Sequence, residues 1–161
     1  MNKLKHNMFL KKFLLFLVGY CLYIAIEITF RGYSYPLMGI VGGIALILLD
    51  ELNDRIIGWD VPLITQMVMG GFFITVLELI SGKFALYVLH VRMWDYRGQW
   101  MASYDGLICP LFSVVWIGIS LIGILLGDAI NYYVLHSEIQ PYYRHLSGKL
   151  WFKLPRRTCG A

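Results

Sequence analysis

Charge is what this sequence has least of. Only 15% of its 161 residues are Asp, Glu, Lys or Arg, and those few are grouped between long stretches without any. A soluble domain of this size needs a polar surface over its core, and no such surface can be drawn from these blocks. The hydrophobic fraction is 58%, against about 45–50% in typical soluble domains. The mean hydropathy is +0.63. A bilayer is the solvent these numbers describe. The chain is long enough for one domain.

Other absences narrow the chemistry. Three cysteines, Cys21, Cys109 and Cys159, lie far apart with no CxxC pair, which excludes a disulfide framework and a redox motif. Cys21 and Cys109 sit in apolar stretches, where a free thiol acts as a small hydrophobe. No P-loop occurs: Gly82-Lys83 and Gly148-Lys149 lack the upstream glycine spacing and the following Ser or Thr. The chain therefore has no ATPase motif of its own. There is no HExxH, no GxSxG and no His/Cys ligand cluster. His6, His90, His136 and His145 are scattered. Neither a metal nor an organic cofactor is expected, and no enzyme motif is present. No internal repeat supports an inverted-repeat transporter within one chain.

What remains is four apolar blocks. The first, residues 13–30, follows the basic start Lys3, Lys5, Lys11 and Lys12. At about 1.5 Å per residue it spans a hydrocarbon core of about 30 Å. It lacks a small-residue cleavage site, so it reads as a retained span rather than a signal peptide. The second, residues 36–50, is short and carries Gly39, Gly42 and Gly43, which allow close helix approach. A buried or re-entrant segment is the other reading of it. A polar connection follows, with Asp50, Glu51, Asp54, Arg55 and Asp60. Pro62 suits a helix start, and the third span covers residues 62–80. The fourth covers residues 107–127. Between them residues 84–91 are too short to span and predict an interfacial helix. Tyr87, Trp94, Tyr96, Trp100 and Tyr104 there fit an aromatic belt at headgroup depth. Residues 136–161 read as a basic tail with a frayed end at Pro155 and Gly160. Trp151 and Phe152 among its lysines and arginines also fit contact with anionic lipid. The fold class is all-α, an integral membrane bundle of about four helices, with residues 1–135 as the membrane domain.

Four spans put both termini and the middle connection on one side. That side holds ten of the fourteen Lys and Arg residues, and the other holds Arg31, Lys83, Arg92 and Arg97. The positive-inside rule then places both termini in the cytoplasm. The net charge of +4 thus reports orientation, and no nucleic-acid partner is implied.

Ionisable groups inside spans are costly, about 2.5–3.5 kcal/mol at a helix centre. Glu27 and Glu78 lie near the outer ends of the first and third spans. Arg31 is one turn beyond Glu27, at pairing distance i, i+4. The outer connection supplies Arg92, Asp95 and Arg97. These groups are expected to converge under Trp94-Asp95-Tyr96. Two readings stay open: ion pairs that fix helix packing, or a substrate, ion or catalytic site. Asp128 reads as a solvated or capping residue, and Ser34 as a cap for the second helix.

The ordered set Ile26-Glu27, Arg31-Gly32, Ser34, Met38, Gly42-Gly43, Thr75, Leu77-Glu78, Gly82, Trp94-Asp95-Tyr96, Gly106, Ile108-Cys109, Trp116 and Asp128 resembles a known pattern. It is similar to the small bacterial membrane proteins of the ABC-transporter type IV, or CmpB-like, family, over roughly residues 20–143. The resemblance implies a multi-pass protein of the bacterial cytoplasmic membrane. It also implies a permease-type transport subunit that works with a separate ATPase or as a homo-oligomer in the lipid bilayer. Glu27, Arg31, Glu78, Trp94, Asp95 and Tyr96 would line its substrate site. The chain departs from the family pattern at Arg97, where a serine often follows the WDY run. It departs again at residues 102–105, where an Asn often stands, and at Tyr33 and Tyr35, where histidines are frequent. A scaffold or regulatory subunit, and a membrane enzyme acting on a lipid-like substrate, are the alternative functions.

Overall fold

The computed structural model describes residues 2–157, with side chains from Met8 onward. Cys159, Gly160 and the side chains of Lys3, Lys5 and His6 lie outside the described residues. Four helices form the bundle: α1 (Asn2–Arg31), α2 (Pro36–Glu51), α3 (Leu63–Tyr87) and α4 (Pro110–Ala129). α2 and α4 each run on into a π-type turn, Leu52–Ile56 and Ile130–Val134. With those turns included, all four segments are long and apolar enough to cross a membrane. The first runs from Met8 to Arg31 and the second from Pro36 to Ile56. The polar flank of the second apolar block thus completes its length.

α2 is the most enclosed span, with just over half of its apolar window covered by protein, while α1 and α4 are largely uncovered. Phe30, Phe72, Ile80, Leu111, Val114 and Ile122 are exposed on the outside of the bundle. In water that surface would be an aggregation liability, whereas in a bilayer it faces lipid. α1 packs on α2 where glycines meet. A Cβ on Gly19 would lie 2.5 Å from the Gly42 carbonyl oxygen, and one on Gly42 would lie 2.8 Å from the Gly19 carbonyl oxygen. Small residues let backbones approach where lipid supplies no hydrophobic drive between helices. α3 packs on α4 in the same manner, through Gly71 and the backbone of Ile117.

Two connections differ from expectation. The predicted interfacial helix between the third and fourth spans does not form. Residues 84–87 are the last turn of α3, and residues 88–109 are non-helical. Four non-glycine residues of that connection, His90, Met101, Tyr104 and Asp105, have positive φ, so the chain turns too often to sustain a helix. Residues 94–96 instead fold back along residues 106–108. Tyr96 N–H donates to the Gly106 carbonyl at 2.8 Å, and the Trp94 indole N–H donates to the Leu107 carbonyl at 2.9 Å.

Through Arg157 the basic tail is folded onto the bundle, and the frayed end expected at Gly160 lies outside the described residues. β1 (Tyr142–Arg144) pairs antiparallel with β2 (Leu150–Lys153), Tyr143 standing opposite Phe152. Tyr143 is fully buried and packs within the core of Leu49, Leu52, Leu63 and Ile124. The hairpin caps the bundle end formed by α2, the start of α3 and the end of α4. Tyr133 pins Pro155 by donating to its carbonyl at 2.7 Å. The Asp60–Arg144 ion pair at 2.8 Å ties the hairpin to the α2–α3 connection.

Candidate functional site

At the bundle end made by the C-terminus of α1, the α3 C-terminal half and the 88–109 connection, the expected residues divide into three groups. The first is built on α1. Glu27 and Arg31 form an i, i+4 ion pair. Ser34 donates its hydroxyl to Glu27 Oε2 at 2.7 Å. Ser34 therefore serves Glu27 and does not cap α2, whose N-terminus has no side-chain cap. Arg31 reaches across to donate to the Met93 carbonyl at 2.9 Å, joining α1 to the 88–109 connection.

The second group is built on α3. Glu78 is buried, 3% exposed. Tyr96 Oη donates to its Oε1 at 2.8 Å, and Trp116 Nε1 from α4 donates to its Oε2 at 2.9 Å. Each carboxylate oxygen thus has one donor, and the two donors come from different elements. Hydrogen bonds to a charged group are worth about 1.5–3 kcal/mol each. Two of them are of the same order as the cost of placing a carboxylate in a span. Both donors are held by their rings. Tyr96 stacks on Phe112 with centroids 4.3 Å apart, and Trp116 stacks on Tyr23 at 6.2 Å. The Tyr96 hydroxyl is held well above its ordinary range by burial and by the neighbouring Glu78 charge, so it stays a donor.

Asp95 makes up the third group and turns outward. It pairs with Arg97 through backbone N–H and guanidinium. Those bonds hold its carboxyl down at about 2. Arg97 is thus the partner of Asp95. Trp94 is a packing residue. Its ring fills the space above Gly82, where a Cβ would lie 2.8 Å from the indole. Of the six expected residues, the structure joins Glu27 with Arg31 and Glu78 with Tyr96, and it does not bring Asp95 onto Glu78.

A cleft of about 450 Å³ lies over these groups, lined by Arg31, Tyr33, Arg92, Met93, Trp94, Asp95, Tyr96, Gln99 and Phe112. It brings together two guanidinium groups and four aromatic side chains. Guanidinium groups and aromatic rings are chemistry able to hold and orient a polar molecule. Nothing in it resembles a nucleophile–base pair.

A family model described as "Putative ABC-transporter type IV" matches residues 18–150. The chain belongs to this family. No curated protein and no solved structure matches it. The type IV match runs from within α1 through β1 and takes in every residue of the cleft. It fits the four apolar spans: the protein is a membrane component of an ABC-transporter family.

Sequence reasoning missed Trp116 as a partner of Glu78, although it stands in the quoted pattern. It also missed a second polar centre at the opposite end. Asp128 is 2% exposed, neither solvated nor a cap. It accepts from Tyr143 Oη at 2.6 Å and from Asn53 Nδ2 at 2.9 Å. Asp50, equally buried, accepts from Asn131 Nδ2 and lies 2.9 Å from Lys11 Nζ. The signal available in the sequence is the Asp-x-x-Asn spacing, present at 50–53 and again at 128–131.

Proposed function

We propose that this chain is a permease-type membrane subunit that works with a separate ATPase and receives a polar solute in the cleft over Glu78. The observation that carries this reading is Glu78 itself. A carboxylate buried in a span, met by side chains from two other elements and roofed by a cleft with Arg31 and Arg92, is an expensive arrangement for packing alone. The lack of a P-loop in this sequence supports the assignment of ATP hydrolysis to a partner. The excess of positive charge at the Lys11, Lys12 and tail side supports a topology with both termini in the cytoplasm and the cleft on the outer face. Four spans leave little room for a private pathway, so a homo-oligomer or a second membrane subunit would complete the path.

The second reading is a scaffold or regulatory subunit. It is favoured by the full pairing of both Glu78 oxygens within the protein. One experiment separates the two. A deletion strain is profiled for solutes whose ATP-dependent accumulation falls, then complemented with wild type or Glu78→Gln. Under the transport reading, Glu78→Gln reaches the membrane at normal abundance and fails to restore accumulation. Full restoration assigns the carboxylate to packing, and reduced abundance with proportionate uptake assigns the chain to scaffolding.

A further inference from the structure

The second polar centre, at the opposite end of the bundle, is not used by the transport reading. It is made from one pattern occurring twice. Asp50-Glu51-Leu52-Asn53 closes α2, and Asp128-Ala129-Ile130-Asn131 closes α4. Residues three apart share a helix face. Each copy enters a π-type turn, a local geometry often found at functional sites. The copies pair crosswise: Asn131 donates to Asp50, and Asn53 donates to Asp128. Gly127 permits this approach, since a Cβ there would already lie 3.2 Å from the Asp50 Cβ.

Two features of the centre are left open by the protein's own groups. The first is a pair of acceptors. Asn53 and Asn131 are 1% and 8% exposed, and the amide oxygen of each has no hydrogen-bond partner. Exchanging Oδ1 and Nδ2 would set an amide oxygen against an ionised carboxylate, so the cross-pairing fixes these orientations. The second is charge. Lys11 meets Asp50 at 2.9 Å and Asp54 at 2.8 Å, while Lys12 and Arg55 both meet Glu51. Three carboxylates are thus matched by three cations. Among the described residues, Asp128 has no cationic side chain within ion-pair distance. The Asp50 Oδ2 atom is close to Lys11 Nζ but poorly aligned for a hydrogen bond, so it counts here as ion-paired. A cavity of about 390 Å³ reaches Asp128 and Asn131 past Lys11 and Asp54.

We propose that the crossed Asp-x-x-Asn turns form a binding site for one small monovalent cation, of the sodium or potassium class, held by the Asn53 and Asn131 amide oxygens and the Asp128 carboxylate. These are hard oxygen donors with no thiolate or imidazole among them, which suits such ions. One positive charge balances the one unmatched carboxylate. A dication does not fit, because the Lys11 ammonium already occupies the neighbouring carboxylate. Nor do three His, Cys, Asp or Glu side chains converge on a metal position among the described residues. The competing occupant is a proton on Asp128.

The test uses the full-length protein in detergent. Thermal unfolding is followed while NaCl or KCl replaces choline chloride at constant ionic strength. Wild type is expected to gain several degrees in Tm, saturably, with at least one of the two ions. Asp60→Asn, at an exposed pair outside the centre, keeps that response, and Asp128→Asn loses it. Because Asp128→Asn can fail to fold, Asn131→Ala serves as a second variant, expected to raise the half-saturating concentration at least tenfold. Equal stabilisation by choline, or no saturable response to either ion, overturns the proposal. So does an infrared band of a protonated carboxyl in the wild type at neutral pH that is unmoved by Na⁺ or K⁺ and absent from Asp128→Asn.

Discussion

Tyr96→Phe isolates the bond on which the Glu78 arrangement depends. The substitution removes one hydroxyl and leaves the ring, which stacks on Phe112 at 4.3 Å. What is lost is the 2.8 Å bond to Glu78 Oε1. Glu78 is 3% exposed, so water does not freely replace the donor. Taking one partner from a buried charged group costs about 1.5–3 kcal/mol. That is about a 10- to 150-fold drop in the folding equilibrium constant, at about 1.4 kcal/mol per tenfold. The assay is equilibrium unfolding in mixed micelles, read by tryptophan fluorescence, since Trp116 contacts the same carboxylate. A double-mutant cycle with Glu78→Gln makes the result specific. A neutral amide accepts with about half the strength of a carboxylate, so Tyr96→Phe should cost about half as much in the Gln background. Equal losses in both backgrounds, or a loss below about 0.5 kcal/mol in the wild type, would refute an energetically coupled pair.

Two further predictions concern groups away from Glu78. Asp95 titrates near 2 in the folded protein because Arg97 bonds to its charged form. Its folded value lies below the unfolded one, so its stabilising effect is present above about pH 4 and fades as pH falls towards 2. Carboxyl NMR should show that midpoint, and Arg97→Ala should return it to the ordinary carboxylate range. At the α1–α2 contact, Gly42→Ala drives a Cβ into Tyr23 and the Gly19 carbonyl. Overpacking of this kind costs about 1–3 kcal/mol. Gly118→Ala, where a Cβ would meet nothing within 4 Å, should be neutral or slightly stabilising in the same unfolding assay.

The Gly82–Trp94 contact shows the limit of local reading. The quoted pattern contains both residues, and nothing in their spacing says that the indole lies on the glycine. The outer connection was expected to hold a helix because residues 84–91 are apolar and too short to span. In the structure their first half prolongs α3 and the remainder turns, since the Trp94 and Tyr96 bonds to residues 106–107 hold the connection against itself. The tail misled in a similar way. Its lysines and arginines read as a basic tail that also fits contact with anionic lipid, yet alternate residues carry Tyr143 and Phe152 inward onto the bundle end.

The sequence by itself determined the four apolar spans and the Glu27–Arg31 pair, and left open how far the glycine-rich second block is enclosed. The spans and the pair rest on apolar length and i, i+4 spacing, both properties of one segment and its solvent. Only the tertiary structure decided which donors meet Glu78, that Asp95 turns away to Arg97, and that Asp128 is buried under Tyr143 and crossed with Asn53. The contacts to Glu78 and Asp128 join residues 15 to 75 positions apart. Their geometry is set by how the helices approach one another, which no single segment encodes.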